Sequence, residues 1–444
     1  MEITNAPLSC AMARPARPVA ISATALTIEI RVIVRKLPES VRLCERTSPY
    51  CNVALCRTLG AMANSRFGDS RQRCSSHLTR PSWPPYSRRN EAAVRPSHRA
   101  GKTMQKPVAI CDPWPRSLDL MFSASDLSRL HALVDLVTSD ERQMPADKVD
   151  RTLPEAVFVL GQTDMPRERL ARAPKLKAVL NVEGNFTGNI DYDTCFERGI
   201  HVLSVSPVFT ETVAEMALGM AIDLGRGITR ADRDFHAGRE VFGLESNADA
   251  ELLFDGPVGI IGYGDLARSF RPLLKPFRCP VKVYDPWLPD HVLVAEECRP
   301  ATLDEVLATS RYIFVFATVT ASNEGFLGAD QFAAMQKGAK FILVSRAGVV
   351  DFDAMLDAVA RGHILAATDV FPEEPMPAGH RVREIDGLLL SAHRAGALDS
   401  VFKRMGTLLL GDMELMLKGL PPVGLKRAQR ETVSALRSMA VTIS

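Results

Sequence analysis

The sequence predicts an α/β protein built from two domains that each contain a parallel sheet. From Met104 onward, short apolar runs alternate with segments of helical periodicity, which is typical of parallel α/β proteins. One apolar run is followed directly by a glycine-rich turn that opens a helix. The length of 444 residues allows two or three domains, and 46% hydrophobic with 24% charged residues is an ordinary globular composition.

The first hundred residues differ in composition from the rest. They contain 16 Lys and Arg against 6 Asp and Glu, a net charge of +10, so the remainder carries −8 to reach the total of +2. Three interpretations compete: an organelle transit peptide, a small metal site, and a disordered or non-native extension of residues 1–103. The metal site would use Cys51, Cys56, Cys74 and His77. We favour the extension, with Met104 as the functional start, because Met104 directly precedes the first clear strand.

No segment of the sequence is typical of a membrane span. The most apolar stretch, residues 21–33, is too short and is interrupted by Glu29 and Arg31. The four cysteines after Met104 lie in or beside apolar segments, and nothing there resembles a disulfide framework. We therefore expect a cytoplasmic protein with no membrane, nucleic-acid or metal partner.

The first domain is predicted from four apolar strands. They are residues 107–111, 156–160, 177–182 and 201–205. A loop rich in Gly and Asn, residues 183–191, joins the third strand to the fourth. A long helix then begins near Thr210 or Thr212, either of which can cap its N-terminus, and could continue towards Phe235.

The second domain is predicted from six further strands. They are residues 257–261, 281–284, 312–316, 340–344, 364–368 and 387–390. An amphipathic helix follows at residues 398–417 and is stopped by Gly419 and Pro421.

The turn Gly262-Tyr263-Gly264-Asp265-Leu266 lies between a strand and a helix, which is the context of a dinucleotide-binding fingerprint. Its glycines let the backbone approach a pyrophosphate, and the helix N-terminus favours the negative charge. Asp285, 21 residues after Gly264, ends the next strand and can accept hydrogen bonds from ribose hydroxyls. Its carboxylate would repel a 2′-phosphate, so the pattern favours NAD over NADP. Asp265 is unexpected, because a neutral or basic residue is easier to explain beside a pyrophosphate.

Three residues that follow this turn in the sequence indicate the type of reaction that the protein carries out. Arg346 ends an apolar strand, Glu374 lies in a Pro-rich loop, and His393 follows the last strand. A guanidinium can hold a carboxylate by a planar fork of donors. An imidazole can exchange a proton with a hydroxyl near neutral pH, and a carboxylate beside it favours its protonated form.

With these motifs, residues 106–422 resemble the D-isomer-specific 2-hydroxyacid dehydrogenase family. Further matching segments are 199–202, 213–215 and 326–330. The resemblance implies a Rossmann-type NAD-binding domain at 208–393 and a second, flavodoxin-like α/β substrate domain. The substrate domain would comprise residues 104–207 completed by 394–425, leaving 426–444 as a C-terminal tail.

The resemblance also implies roles for individual residues. Arg346 would bind the carboxylate and carbonyl of a small 2-keto acid, His393 would be the acid and base, and Glu374 would be its partner. The cofactor would contact Gly262, Tyr263, Gly264, Asp265, Leu266, Asp285, Ala317, Thr318 and Asp369. The substrate loop would be Glu183, Gly184 and Asn185. The implied reaction is reversible hydride transfer between NADH and C2 of the keto acid, carried out by a homodimer.

Two other functions are compatible with parts of this pattern. Relatives of this fold act as NADH-responsive corepressors while keeping a similar Arg–Glu–His set, so that set does not exclude a binding protein. Another Rossmann enzyme, such as a methyltransferase, would have no need for the Arg–Glu–His set. The substrate itself is left open among glyoxylate, hydroxypyruvate and larger keto acids.

Overall fold

The computed structural model describes residues 105–436 and contains two sheets. The elements of the first domain are β1 (Val108–Asp112), α1 (Leu118–Met121), α2 (Ala124–Leu133), β2 (Asp135–Val137), α3 (Ala146–Thr152), β3 (Ala156–Gly161), α4 (Arg167–Ala171), β4 (Ala178–Asn181), α5 (Tyr192–Arg198) and β5 (His201–Ser204).

The second domain follows directly. Its elements are α6 (Thr210–Arg226), α7 (Ile228–His236), β6 (Val258–Ile261), α8 (Asp265–Leu274), β7 (Val281–Tyr284), α9 (Asp290–Ala295), β8 (Arg299–Pro300), α10 (Leu303–Thr309), β9 (Tyr312–Val315), α11 (Ala329–Ala333), β10 (Ala339–Leu343), α12 (Phe352–Ala360), β11 (Ile364–Thr368) and β12 (Leu388–Leu390). The chain ends with α13 (Asp399–Leu417), β13 (Lys426–Arg427) and α14 (Arg430–Val433). Short 3₁₀ turns lie at Ser206–Phe209, Gly243–Asn247, Lys275–Phe277, Ala347–Val349 and Arg381–Arg383.

The first sheet has six strands, of which β13 is an antiparallel edge strand; the other five are parallel and have the order β2-β1-β3-β4-β5. This is the order of flavodoxin-like folds, so the predicted fold of this domain is confirmed. Its two faces are covered by separate apolar clusters, because alternate strand residues point to opposite sides. Ala109, Phe158 and Leu180 belong to one cluster, and Ile110 and Val159 belong to the other.

The second sheet is parallel and has the order β8-β7-β6-β9-β10-β11-β12. This is the Rossmann order extended by one strand, and the strand order reverses between β6 and β9. The predicted Rossmann-type domain is therefore confirmed. The strands are buried on both faces, which explains why they read in the sequence as continuous apolar runs rather than as alternating ones.

The long helix after β5 ends earlier than the sequence suggested. Gly227 adopts φ +62°, which ends α6, and the chain restarts as α7. The hydroxyls of Thr210 and Thr212 donate to the carbonyls of Pro207 and Phe209, so neither acts as the predicted N-cap. The 3₁₀ turn before α6 leads directly into the helix, so no side chain caps the N-terminus of α6. Helix α6 packs on α8, β10 and β11, which makes it part of the second domain.

Helix α13 returns the chain to the first domain. Its buried Val401, Met405 and Leu409 lie in the same apolar cluster as the first sheet. The close approach requires Gly406, where a Cβ would lie 2.5 Å from Cδ1 of Phe122. The domain that begins the described chain is therefore completed by its last long helix.

Residues 426–436 correct the prediction of a C-terminal tail. Strand β13 pairs antiparallel with β5 at the edge of the first sheet, and α14 packs on α5. The segment before it is held by the buried carboxylate of Asp412, which accepts from the backbone N–H groups of Val423, Gly424 and Leu425 at 2.8–2.9 Å. Two ladder residues carry no sequence periodicity, so only the tertiary contacts reveal this element.

The extension predicted for residues 1–103, with its transit-peptide and metal alternatives, lies outside the described residues. Within residues 105–436, no helix is long and apolar enough to cross a bilayer. The same residues contain no group of three or more His, Cys, Asp or Glu arranged to hold a metal ion. Cys111, Cys195, Cys279 and Cys298 are buried free thiols, and burial raises the pKa of Cys111 to about 12.

Candidate active site

One cleft with a volume of about 1080 Å³ is lined by both domains. It lies at the carboxyl ends of the parallel strands, where α/β sheets bind ligands. All of the site residues predicted from the sequence line it: Glu183, Gly184, Asn185, Gly262, Tyr263, Gly264, Asp265, Leu266, Asp285, Ala317, Thr318, Arg346, Asp369, Glu374 and His393. The structure thus brings together residues that are up to 210 positions apart in the chain, from Glu183 to His393.

The glycine turn follows β6 at the point where the strand order reverses. Gly262 has φ +84°, and a Cβ there would lie 2.6 Å from Cα of Ala317, so the protein itself requires glycine. Gly264 caps α8 with φ −83°, and a Cβ there would meet nothing within 4 Å. The space in front of the helix N-terminus is therefore open, and the residues fit a bound dinucleotide phosphate.

Asp285 holds this turn as well as facing the cleft. Its Oδ2 accepts from the N–H of Tyr263 at 2.7 Å, and its Oδ1 accepts from the N–H groups of Trp287 and Leu288 at 2.9 and 3.2 Å. The carboxylate therefore ties the end of β7 to the glycine turn. The sequence predicted that Asp285 faces the cofactor ribose, but it did not predict these contacts with the backbone.

His393 and Glu374 form a direct pair. Nδ1 of His393 lies 2.6 Å from Oε2 of Glu374, and the other carboxylate oxygen accepts from the N–H of Phe371 at 3.0 Å. Burial raises the pKa of Glu374, but the hydrogen bonds from His393 and Phe371 and the charge of Arg346 outweigh it, and the pKa is lowered overall. Glu374 is therefore ionised near neutral pH, as a partner for an imidazolium must be.

The turn that carries His393 is fixed by Asp369. Its two carboxylate oxygens accept from the N–H groups of Arg394 and Ala395 at 3.0 and 2.9 Å, and its exposure is 1%. His393 adopts φ +48°, a conformation that few non-glycine residues hold without such support. Asp369 lines the cleft, as a cofactor residue would, but both of its oxygens are engaged by this turn.

Arg346 follows β10 and interacts electrostatically with both Glu374 and Glu183. Its Nη1 donates to the carbonyl of Ser345 at 2.7 Å. With the Asn185 amide in the orientation that satisfies both of its polar atoms, the amide oxygen accepts from Nη2 of Arg346 at 2.5 Å. Burial lowers the pKa of Arg346, while the charges of Glu374 and Glu183 oppose that effect. A guanidinium stays charged even with a lowered pKa, so Arg346 presents a cation to the cleft.

The loop after β4 offers backbone donors beside Arg346. The N–H of Glu183 donates to Oδ1 of Asn181 at 2.7 Å, and its carbonyl accepts from the hydroxyl of Ser204 at 3.0 Å. These contacts hold the loop in place. Within the described residues, the N–H groups of Gly184 and Asn185 donate to no protein acceptor. They are available to an anionic ligand.

Arg116 belongs to the site but was not predicted from the sequence. It follows β1, and its Nη2 lies 3.6 Å from Oε2 of Glu183, while its guanidinium stacks 4.8 Å above the ring of Phe402. Burial raises the pKa of Glu183, and the charges of Arg116, Arg346 and His393 oppose that effect. In the sequence, the one feature that could have identified Arg116 was its position just after a strand, which is also what identified Arg346.

Lys426 was also missed, because its segment was predicted to be a tail. Its Nζ lies 2.6 Å from Oδ2 of Asp265 in the glycine turn. Arg427, Gln429, Thr432 and Val433 continue along the same cleft. The C-terminal segment therefore forms one wall of the site.

Comparison with known proteins places this geometry in a family. Residues 218–395 match the model described as D-isomer specific 2-hydroxyacid dehydrogenase, NAD binding domain. A crystal structure of a phosphoglycerate oxidoreductase from Rhizobium etli is 48% identical with a TM-score of 0.69, covering 74% of this chain and 100% of that chain.

Curated relatives are more distant. A D-3-phosphoglycerate dehydrogenase from Archaeoglobus fulgidus is 27% identical over 285 residues, 63% of this chain and 53% of the relative. A glyoxylate reductase from Thermofilum pendens is 27% identical over 311 residues, 67% of this chain and 89% of the relative. The chain spans about half the length of the D-3-phosphoglycerate dehydrogenases that it matches. The family model and the identity over the full length of the Rhizobium structure show that this chain belongs to the D-isomer specific 2-hydroxyacid dehydrogenase family.

Proposed function

We propose that this protein is an NAD-dependent D-2-hydroxyacid dehydrogenase that interconverts a small 2-keto acid and its 2-hydroxy acid. The observation that carries the proposal is the His393–Glu374 pair at 2.6 Å, in the same cleft as Arg346 and an open glycine turn. A dinucleotide site alone needs only the turn. An acid–base pair beside a half-buried cation adds what a keto-acid reduction requires.

Each group has a defined task in the proposed reaction. Arg346 and the free N–H groups of Gly184 and Asn185 hold the carboxylate and the carbonyl oxygen of the keto acid. Protonated His393 donates its proton to that oxygen as negative charge develops, and neutral His393 removes the hydroxyl proton in the reverse direction. Glu374 stabilises the imidazolium. Bound NADH supplies the hydride, so the products are the 2-hydroxy acid and NAD⁺.

The residues proposed to hold NAD belong to the domain at 208–393. Gly262, Tyr263, Gly264 and Leu266 would meet the pyrophosphate at the start of α8, and Asp285 would meet the adenosine ribose. Ala317 and Thr318 line the cleft beyond β9.

Arg346 also stabilises charge that appears only in the transition state, which lowers the barrier to reaction in addition to improving binding.

Turnover tests this proposal against an NADH-sensing, corepressor-type protein on the same fold. The purified chain is mixed with NADH and a panel of glyoxylate, pyruvate and hydroxypyruvate, and the loss of NADH absorbance is followed. We expect reduction of at least one member of the panel. Tight NADH binding without reduction of any keto acid would instead support the sensor. The names of relatives, which include glyoxylate reductase and hydroxypyruvate reductase, support this choice of panel.

The first prediction concerns the proton donor. His393→Ala should lower kcat by about 10²–10⁴-fold, the usual contribution of general acid–base catalysis, while the Kd for NADH stays near the wild-type value. His291→Ala is the matched control, because His291 is exposed on α9 away from the cleft. A His393→Ala variant that keeps most of its kcat would remove His393 from the mechanism.

The second prediction concerns pH. The pKa of Glu374 is lowered, so its carboxylate stays ionised and paired with His393 through the mildly acidic range, and the wild-type rate of keto-acid reduction should hold there. Glu374→Gln keeps the shape but removes the charged partner of the proton-donating histidine, so the rate near neutrality should drop and the pH profile should change. Glu373→Gln, an exposed neighbour, should leave the profile unchanged. Superimposable profiles for wild type and Glu374→Gln would contradict the assigned role.

The third prediction concerns the choice of cofactor. We expect kcat/KM to favour NADH over NADPH, because a 2′-phosphate would face the carboxylate of Asp285. Asp285→Ser should narrow this ratio. Asp285 also holds the glycine turn, so the variant will lose some activity with both cofactors, but the ratio within one variant isolates selectivity from that loss. Equal use of both cofactors by the wild type would refute the argument.

We further propose that the chain forms a homodimer through α7 and the segment that follows it. Helix α7 has nine residues and none is buried, although so short a helix is marginal without packing. Exposed apolar side chains lie on this helix and on the segment that follows it: Ile228 54% and Phe235 61% in α7, then Val241 56%, Phe242 78%, Leu244 88% and Leu252 61%. A second copy of the chain would cover this surface.

The fourth prediction tests this interface. The double variant Phe242→Asp and Leu244→Asp should convert a dimer into a monomer, measured as mass by size-exclusion chromatography with light scattering. Val294→Asp, on the exposed side of α9 and 60% exposed, should leave the mass unchanged. A wild-type protein that is monomeric at micromolar concentration would overturn the proposal.

A further inference from the structure

Asp265 is an unusual residue for a pyrophosphate site. It is the first residue of α8, a ten-residue helix whose N-terminus faces the open space in front of Gly264. The positive end of a helix attracts a diphosphate, but a carboxylate in the first turn carries the same sign of charge as that ligand. Asp265 and the pyrophosphate would therefore compete for the helix N-terminus unless a cation stands between them.

That cation comes from the other sheet. Nζ of Lys426 lies 2.6 Å from Oδ2 of Asp265, with both side chains 45% exposed. Lys426 is part of β13 and pairs with Ser204 at the edge of the first sheet. Within the described residues, Lys426 is the one salt-bridge partner of Asp265.

The neighbouring basic groups are engaged elsewhere. Arg268, one turn further along α8, pairs with Glu296 at 3.2 Å and stacks on Tyr263. Arg427 donates to the carbonyl of Pro422. The ammonium of Lys426 has three donors, and Asp265 accepts only one, so two remain for ligand oxygens.

We propose that Lys426 is the cation of the cofactor pyrophosphate subsite and that Asp265 positions it there. Both residues line the same cleft as the glycine turn. In this arrangement Asp265 orients the ammonium towards the phosphates, and Lys426 cancels the repulsion that Asp265 would otherwise exert. The inference rests on the proposed dinucleotide site and adds a cofactor-binding residue from outside the Rossmann domain.

An alternative interpretation is that the Lys426–Asp265 contact only joins the two domains and does not touch the cofactor; we call this a tether. The two readings predict different behaviour. A tether is lost equally when either partner is neutralised, and the double variant is no worse than either single one. A phosphate-binding lysine makes the two partners unequal, because losing Lys426 leaves Asp265 repelling the ligand, whereas losing Asp265 removes that repulsion.

The test is NADH binding to the full chain, measured by fluorescence titration without any keto acid. Lys426→Met should weaken binding by about ten-fold, as expected for an exposed charge-assisted contact. Asp265→Asn should change it by less than about three-fold, and the double variant should recover much of the loss of Lys426→Met. Lys426→Arg should keep most of the affinity. Lys418→Met is the matched control, since Lys418 is exposed on the C-terminal end of α13 and should have no effect.

Two further readouts identify the phosphate as the group recognised. ADP, which carries the diphosphate without nicotinamide, should lose affinity in Lys426→Met by a similar factor, and adenosine should lose none. The wild-type affinity should fall with added salt more steeply than that of Lys426→Met, because the ammonium is exposed.

Other outcomes overturn the inference in separable ways. Equal losses in both single variants with no further loss in the double would establish a tether. An unchanged Kd in Lys426→Met, or an equal loss for adenosine, would exclude contact with the phosphates while leaving the proposed function intact. Wild-type protein that binds no NADH would refute the proposed function, and this inference with it.

Discussion

Both sheets of this protein direct the carboxyl ends of their parallel strands at one cleft, and the site depends on that constraint. Gly262 follows β6, Arg346 follows β10, Asp369 follows β11 and His393 follows β12. Glu183 follows β4 in the other sheet. Parallel strands end at the same edge, so residues far apart in the chain become neighbours without long loops. The switch in strand order between β6 and β9 then opens the space in which the glycine turn lies.

Several carboxylates hold the backbone in position by accepting hydrogen bonds from its N–H groups. Asp369 accepts two backbone N–H groups of the His393 turn, and Asp412 accepts three before β13. Asp285 accepts one from the glycine turn and two from the segment after β7. A buried carboxylate needs such donors, because an unpaired charge in the interior is costly. The same contacts fix irregular backbone at three points, two of which, at Asp285 and Asp369, lie at the cleft. Substituting any of these acids would therefore disturb geometry as well as charge.

Acidic and basic side chains alternate inside the cleft. The pairs are Arg116 with Glu183, and His393 with Glu374, with Arg346 near both carboxylates. Each acid is close to a cation, which offsets the cost of taking it out of water. Glu183 is the exception in its hydrogen bonding, since its Oε1 has no partner among the described residues.

The sequence by itself determined the two α/β domains, the dinucleotide turn and the order of Arg346, Glu374 and His393. These features are local: an apolar run marks a buried parallel strand, and the residue just after it reaches the cleft. The tertiary structure decided what local patterns do not encode. Arg116 enters the site because β1 lies beside β3, and Lys426 reaches Asp265 because a two-residue strand pairs with β5. Such contacts join segments without periodicity across many residues, so their partners exist only once both sheets have formed.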